Sequence, residues 1–454
     1  MQAAYPLVSH AGPHDIVAWR RGCPVTVSRF LADVAALCAA WPAGKYVLNA
    51  CADRYRFAVG LAAALVAGKV SLLPPSHTTE VVRQLQCYEG VFCLVDGPSG
   101  IDMPRHRYED PAETPEVARA MPMIPSSQLM ALVFTSGSTG VPTPHRKAWG
   151  EVVLDVRAEA AALMLPPEGG TCVLGTVPPQ HMYGIESTVL LPLQSGGSLC
   201  ASHPFYPADI TDALDSVPRP RMLVTTPLHL RNLLDAGVPV PQLDLVLSAT
   251  APLSPELARR AEAALHAPLQ EIYGSTETGQ VATRRSTATQ EWTLLPGIAL
   301  QEREGRFWAS GGHVAAPTPL GDLLELTGPS TFVLRGRLGD MVNIAGKRNS
   351  LAYLDHQLLA VPGVRDGVFF MPPHEAVDGA TRLGAFAVAP GMTATQVRAT
   401  LRERIDAVFL PRPLVLLDRL PRNSTGKVTR ETLEELFRAH LPPGGVQGDG
   451  SDGA

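Results

Sequence analysis

The sequence predicts an α/β protein, with a large multi-sheet N-terminal domain joined by a hinge to a small α+β C-terminal domain. Three observations lead there. Short apolar, β-branched runs alternate with helix-like segments through the first two thirds of the chain, a pattern that packs helices over largely parallel sheets. Around Leu338–Gly339 this alternation changes. The 454 residues suffice for two or more domains and a sizeable core.

The expected strands are, in order, Tyr46–Asn49, Val91–Val95, Met130–Phe134, Cys172–Thr176, Met222–Thr225 and Leu245–Leu247. Each is a short run rich in Val or Leu. Phe57–Ala67, Glu80–Cys87, the stretch after Gly184 and Pro255–Leu265 read as helices. The longest apolar stretch, Phe57 to Gly68, is too short to span a bilayer and reads as a buried helix. Beyond the hinge, Leu351–Leu359 and Ala394–Val408 are helix-like, with strands near Gly367–Met371 and Ala385–Val388. A last helix is expected at Arg430–His440. The expected domains are residues 1–337 and 338–441, the second being about a hundred residues and so the size of a small domain. The tail, 442–454, is mostly Gly, Pro, Asp and Ser and is expected to be disordered.

A composition of 45% hydrophobic and 18% charged residues is that of a soluble globular chain. The net charge of −5 is spread without a basic block, so neither nucleic acid nor a membrane is an expected partner. Seven scattered cysteines without a CxxC pair read as reduced core thiols of a cytoplasmic protein, not as a disulfide framework or zinc site. No basic segment followed by an apolar run opens the chain, so no signal peptide is expected.

Four segments carry chemistry. Thr135, Ser136, Gly137, Ser138, Thr139 and Gly140 follow the apolar run Leu132–Phe134. Glycines allow tight turns and close approach of backbone N–H groups to an anion, and the hydroxyls add donors for phosphate oxygens. The segment suits a polyphosphate, although no Gly-Lys-Ser/Thr follows as in a Walker A loop. Alone, it reads equally well as a solvated turn. Tyr273-Gly274-Ser275-Thr276-Glu277 offers a ring for a base, a hydroxyl for a phosphate and a carboxylate for Mg²⁺; Tyr-Gly is also a common turn. Asp322 suits vicinal ribose hydroxyls, and Arg337 a sugar or phosphate oxygen; alone, the pair is more often a surface ion pair. Lys427, on the loop Leu420-Pro421-Arg422-Asn423-Ser424-Thr425-Gly426-Lys427, can be swung into a site to offset charge developing at phosphate and carboxylate oxygens. In isolation, such a lysine is nearly always solvated.

Together and in this order, the four segments resemble the motifs of the adenylate-forming superfamily, which holds acyl-CoA synthetases, luciferases and peptide-synthetase adenylation domains. The resemblance rests on the Ser/Thr/Gly loop, Tyr-Gly-x-Thr-Glu, the spacing of fifteen from Asp322 to Arg337, and Pro-Arg-x-x-x-Gly-Lys. It covers the chain to about His440. It implies an enzyme that uses ATP and Mg²⁺ to convert a small carboxylic acid to its acyl-AMP, then passes the acyl group to a thiol.

The resemblance also implies roles. Thr135 to Gly140 would wrap the β,γ-phosphates. Tyr273, with Gly274 beside it, would stack on adenine, flanked by the backbone of Ser248, Ala249 and Thr250. Thr276 would contact the α-phosphate, and Glu277 would bind Mg²⁺. Asp322 would hold the ribose, assisted by Arg337. Lys427 would bridge the substrate carboxylate and α-phosphate. Val177-Pro178-Pro179-Gln180-His181-Met182-Tyr183-Gly184 resembles the acid-binding motif, so His181, Tyr183 and Gly184 would line or gate the acyl pocket. Read alone, His181 is a satisfied loop histidine. Catalysis would fall to Lys427, Thr276, Glu277 and His181. No Asp in the acid motif is placed to hold an ammonium group, with Glu186 the one conceivable substitute, so amino acids are disfavoured.

The chain departs from the family in places. Thr143 follows Pro142 where lysine is usual, and basic residues come later, at Arg146 and Lys147. Gly339 stands at the hinge in place of Asp or Lys, and Asn343 replaces a common lysine. The short form, with Thr143-Pro144-His145 and Gly346-Lys347-Arg348, resembles the compact ligases of bacterial aryl-polyene pigment pathways. That implies a hydroxybenzoate or hydroxycinnamate as substrate, and an acyl carrier protein or CoA as acceptor. A medium-chain fatty acyl ligase and a non-catalytic nucleotide-binding protein of the same fold are the alternatives.

Overall fold

The computed structural model describes residues 3–110, 119–135, 143–337, 341–344, 347–372, 382–423 and 426–440. The chain divides into two units, Met1–Leu320 with Leu326–Val333, and Gly321–Glu325 with Leu334–Ala454.

The Val- and Leu-rich runs form two sheets in the first unit. One has the order Thr143–Ala148, Leu129–Thr135, Val70–Leu73, Tyr46–Asn49, Phe92–Val95, Arg105–Arg107. It is parallel except for Thr143–Ala148, which runs antiparallel beside Leu129–Thr135 with Thr143 opposite Thr135 and His145 opposite Val133. In the other sheet, Leu269–Ser275, Leu245–Ser248, Arg221–Thr225, Cys172–Gly175, Ser198–Cys200 and Ile16–Arg20 make a parallel centre. Antiparallel strands flank it, Cys23–Thr26 at one side and Gly279–Arg284 and Trp292–Leu294 at the other. The expectation of largely parallel sheets therefore holds at the centres and fails at the margins, where short turns reverse the chain.

The central strands are apolar through their middles because both of their faces are buried there. Val173, Met222, Val224 and Leu247 feed the main core, while Leu174, Leu223 and Val246 feed a second one. Val47 and Leu73 of the six-stranded sheet belong to that same main core. Helix Arg54–Val66 starts before the expected Phe57–Ala67, ends with Ala67 as its cap and is buried along nearly its whole length. Asp53 caps it by accepting from Arg56 N at 2.9 Å, and Asp96 accepts from Ala52 N and Asp53 N. Such caps are worth about 1 kcal/mol each. Helices Val27–Ala40 and Trp149–Ala162 complete the packing around Phe30 and Trp149, with 1% and 0% of their surfaces exposed. A three-stranded antiparallel sheet, Ala299–Arg303, Arg306–Gly311 and Val314–Pro319, was not legible as strands.

In the second unit, Asp366–Phe370 and Gly384–Val388 pair antiparallel, and Leu414–Leu416 adds a parallel strand. Helix Leu351–Leu359 and helix Ala394–Arg402 pack Leu354, Leu358, Val397 and Leu401 against that sheet's core. The second helix stops earlier than the expected Val408. Asp406 instead accepts from Val408 N at 3.1 Å and caps a separate turn, Ala407–Phe409, the competition for backbone donors that makes Asp a helix breaker. Helix Arg430–His440 forms as expected, laying Leu433, Leu436 and Phe437 on Phe370 and Phe386.

All seven cysteines are free, but they are not all core residues: Cys51, Cys93, Cys172 and Cys200 are buried, while Cys23 and Cys87 are exposed on turns and edges. Among the described residues no helix is long and apolar enough to cross a membrane. The tail 442–454 and Gly339 lie outside the described residues.

Candidate active site

The C-terminal ends of Cys172–Gly175, Arg221–Thr225 and Leu245–Ser248 lie side by side, with Gly175 opposite Val224 and Thr225 opposite Ser248. Ligands of α/β sheets bind beyond such ends, where the loops leave. The acid motif leaves from the first of these strands and Ser248–Thr250 from the third. Tyr273 and Gly274 sit near the end of the adjoining Leu269–Ser275.

The acid motif is held from beneath by Arg54, which is fully buried. Its Nη2 donates to Gly175 O at 2.8 Å and Val177 O at 3.0 Å, and its Nη1 to the Thr188 hydroxyl. Burial pulls this guanidinium down to about 10, still charged at neutral pH. Beyond His181 the chain turns into a helix that is α over Met182–Ile185, widens to a π-turn over Glu186–Leu190 and resumes at Leu191–Gln194. Such widened turns cluster at functional sites. A Cβ at Gly184 would overlap the Pro178 carbonyl, so glycine lets the helix meet the loop. The Tyr183 hydroxyl lies 3.2 Å from Thr225 O and 3.1 Å from Leu247 O, tying the helix to two strand ends. Beside the motif, His229 Nδ1 bonds the Thr176 hydroxyl at 2.9 Å. His203 is pushed down to about 4 by burial, with the Arg54 charge adding to the fall, so it is neutral.

Tyr273 lies between Trp292 and Phe332, each 5.7 Å away between ring centres. The turn after it is locked by reciprocal bonds, Ser275 N to Thr278 Oγ1 and Thr278 N to Ser275 Oγ, both 3.2 Å. That lock presents Thr276 and Glu277 at the tip, with Glu277 exposed. A Cβ at Gly274 would strike the Gly279 carbonyl across the hairpin. Ser248 is buried, and its hydroxyl finds no hydrogen-bond partner. Thr250 has φ 79°, a left-handed backbone that a β-branched residue adopts only under strain.

Thr135 ends its strand with Oγ1 2.9 Å from His145 Nε2, and that same nitrogen is 3.6 Å from Glu277 Oε1. Two neighbouring strands thus meet a turn that is distant in sequence. Ser136, Gly137, Ser138, Thr139 and Gly140 lie outside the described residues. Among the described residues no cluster of three His, Cys, Asp or Glu could hold a metal. Mg²⁺ bound through nucleotide phosphates needs only one or two carboxylates, and the exposed Glu277 beside a hydroxyl meets that need.

Behind the acid motif lies a buried polar cluster: Asp155, Glu159, Glu186, Ser187, Gln280, His313 and Lys147. Ser187 Oγ donates to Glu159 Oε1 at 2.6 Å, and Gln280 Nε2 donates to Ser187 Oγ at 3.2 Å. Burial pushes Glu159 up to about 8, Asp155 adding to the rise and Ser187 and Gln280 opposing it. Burial, with Asp155 beside it, raises Glu186 well above the carboxylate range. Glu186 thus holds the proton, while Asp155 faces His313 Nε2 at 3.4 Å and the Gln280 N–H.

In the second unit, Asp322 opens strand Asp322–Leu326 and Arg337 closes strand Thr331–Arg337. Lys427 is exposed on a braced loop, where its N–H donates to Asn423 Oδ1 and Asn423 N–H to Lys427 O, both 2.9 Å. Arg422 clamps that loop by pairing with Asp366 at 2.6 and 3.0 Å and donating to Gly426 O.

Sequence reasoning did not pick out Arg54, Glu159, Asp155, His203, His229 or His145 as site residues. One signal was available: in Trp149–Ala162, Asp155 and Glu159 fall four apart, on the stripe that carries Val152 and Val156.

The AMP-binding enzyme family matches residues 45–307. The chain is 33% identical over 282 residues to a 4-coumarate–CoA ligase of Rhodobacter capsulatus, covering 62% of this chain and 69% of that one. It is 24% identical over 382 residues to a 3-hydroxybenzoate–CoA ligase of an Aromatoleum species, covering 72% and 70%. Its fold is similar to that of the o-succinylbenzoate coenzyme A synthetase of Bacillus subtilis in complex with AMP, with TM-score 0.78, 18% identity, and 95% and 98% of the two chains covered. It is equally similar to ATP-bound MatB of Rhodopseudomonas palustris, with TM-score 0.77, 19% identity, and 95% and 97% covered. The chain belongs to the AMP-binding enzyme family and is an adenylate-forming acid–thiol ligase.

Proposed function

We propose that the enzyme activates a small aryl acid, a hydroxybenzoate or hydroxycinnamate, and passes it to the phosphopantetheine thiol of an acyl carrier protein or of CoA. The observation that carries the reading is the meeting of Tyr273, the Thr276–Glu277 turn, Ser248–Thr250 and the acid motif around one set of strand ends. Two relatives bear the names of aryl acids, 4-coumarate and 3-hydroxybenzoate. Glu186, neutral and turned toward Asp155, is a poor partner for an ammonium group, which argues against amino acids.

Each residue has a task set by the charges involved. A carboxylate must attack a phosphorus already surrounded by anionic oxygens, so positioning and charge screening dominate. Bound Mg²⁺ supplies part of that screening through Glu277. Tyr273 and the Ser248–Thr250 backbone hold the base, and Asp322 with Arg337 the ribose. Thr135 with Ser136–Gly140 holds the β,γ-phosphates, and Thr276 the α-phosphate. His181, Tyr183 and Gly184 shape the acyl pocket. Lys427, on a lid formed by residues 338–441 and turning at Gly339, would bridge carboxylate and α-phosphate. A cytoplasmic site fits the seven free cysteines and the ATP requirement.

Pyrophosphate exchange across hydroxybenzoates, hydroxycinnamates and C6–C12 fatty acids tests this reading. The highest signal is expected with an aryl acid. A clear preference for octanoate or decanoate over every aryl acid overturns it.

A further inference from the structure

We propose that His145 is a positioning residue for the nucleotide. Its Nε2 ties the Thr135 hydroxyl to the Glu277 carboxylate, and so sets the start of the phosphate loop in register with the metal-binding turn. The inference rests on the ATP-binding reading given above.

Thr135 and His145 belong to the six-stranded sheet, whereas Glu277 is on a turn of the other sheet. No backbone hydrogen bond pairs these strands, which pack through a shared core, so at their polar ends a side chain can fix the spacing. His145 is placed to do so, at 2.9 Å from Thr135 Oγ1 and 3.6 Å from Glu277 Oε1.

The other basic residues of its strand are placed elsewhere. Alternation along Thr143–Ala148 sends Thr143, His145 and Lys147 to one face and Arg146 to the opposite one. Lys147 shares the His145 face but is only 6% exposed, and its charge acts on the buried Asp155 and Glu186. With Thr143 in place of the usual lysine, His145 is the basic side chain of this strand that reaches the nucleotide residues. The link does not depend on a change of protonation. It needs only a proton on Nε2, which the neutral ring can carry: that N–H donates to Thr135 Oγ1 at 2.9 Å and faces Glu277 Oε1 at 3.6 Å.

Fixing both groups beforehand removes an ordering cost that MgATP binding would otherwise bear. Losing one such link is worth about tenfold in affinity. The test is calorimetric titration of the full chain with MgATP, together with KM for ATP and for the acid in pyrophosphate exchange. His145→Ala is expected to raise the ATP dissociation constant and KM about tenfold, and to shift half-saturation to higher Mg²⁺. KM for the acid and the melting temperature should hardly move. His145→Gln, which reaches about as far as the imidazole, should recover most of the loss. Should the alanine variant misfold, His145→Asn, too short to touch both oxygens, replaces it in the comparison. Unchanged ATP binding in the short variants, an equal rise in KM for the acid, or no recovery in His145→Gln overturns the proposal. A wild-type enzyme that binds no MgATP removes the nucleotide reading itself, and this inference with it.

Discussion

Glu159→Gln is expected to make the protein less sensitive to alkaline pH. The folded carboxyl keeps its proton up to about 8, against an ordinary 4.5. Between those values the unfolded chain has released a proton that the folded chain still holds, so unfolding releases protons and rising pH favours it. The stabilising proton is fully present below 4.5 and its contribution is exhausted above about 8. At 1.36 kcal/mol per unit, the loss approaches 5 kcal/mol across the window, roughly 4 of it between pH 5 and 8. Asp155 and Glu186 are raised as well and give both proteins a slope of the same sign. The difference between the proteins isolates Glu159. Glutamine keeps an acceptor for Ser187, whose bond of 2.6 Å goes to Oε1. Glu159 Oε2 has no partner, so an amide N–H₂ in its place forfeits no bond. Urea unfolding at pH 5, 6, 7 and 8 measures the effect. All five tryptophans, at 19, 41, 149, 292 and 308, lie in the first unit, and Trp149 is on the helix that carries Glu159. The variant should gain on the wild type by about 1 kcal/mol per pH unit. Parallel slopes, within about 0.3 kcal/mol per unit, would refute the neutral-acid account of this cluster.

Two other substitutions have expected outcomes. Arg54→Met should cost about 3 kcal/mol, because the carbonyls of Gly175 and Val177 lose their donor deep in the core. A urea midpoint shift worth less than about 1 kcal/mol would show that the loop holds itself. Lys427→Ala should suppress pyrophosphate exchange about a hundredfold or more, the scale of a lost transition-state charge partner. It should leave thiol transfer from supplied acyl-AMP nearly intact; equal damage to both half-reactions counts against its assignment to adenylation.

The centre of the fold was legible because strands buried on two faces must be continuously apolar, as in Leu129–Thr135 and Leu245–Ser248. The margins were not. The Ala299–Pro319 strands are largely exposed and carry charged and small residues that give no such signal. Candidate site residues stood out in the sequence where the backbone itself does the holding, as with Gly184 and the Tyr273–Glu277 turn, because local geometry restricts the residue types allowed. Arg54 stayed hidden because its partners lie 121 to 134 residues away, a distance that a local pattern does not cross. Glu159 was hidden for a related reason: a glutamate reads as surface until its neighbours are known to bury it.

The left-handed turn at Thr250 bears on how the enzyme can be bred. A residue of this shape at φ 79° stores on the order of 1–3 kcal/mol, and glycine would hold the same turn without strain, at some cost in unfolded-chain entropy. One codon change thus offers durability at the segment proposed to flank the base. Selection on heat tolerance alone rewards Thr250→Gly, although a freer glycine holds the backbone of this segment less firmly. Selection on turnover sets the two demands against each other at this position, so a library screened for both should keep a side chain here and look for its durability elsewhere.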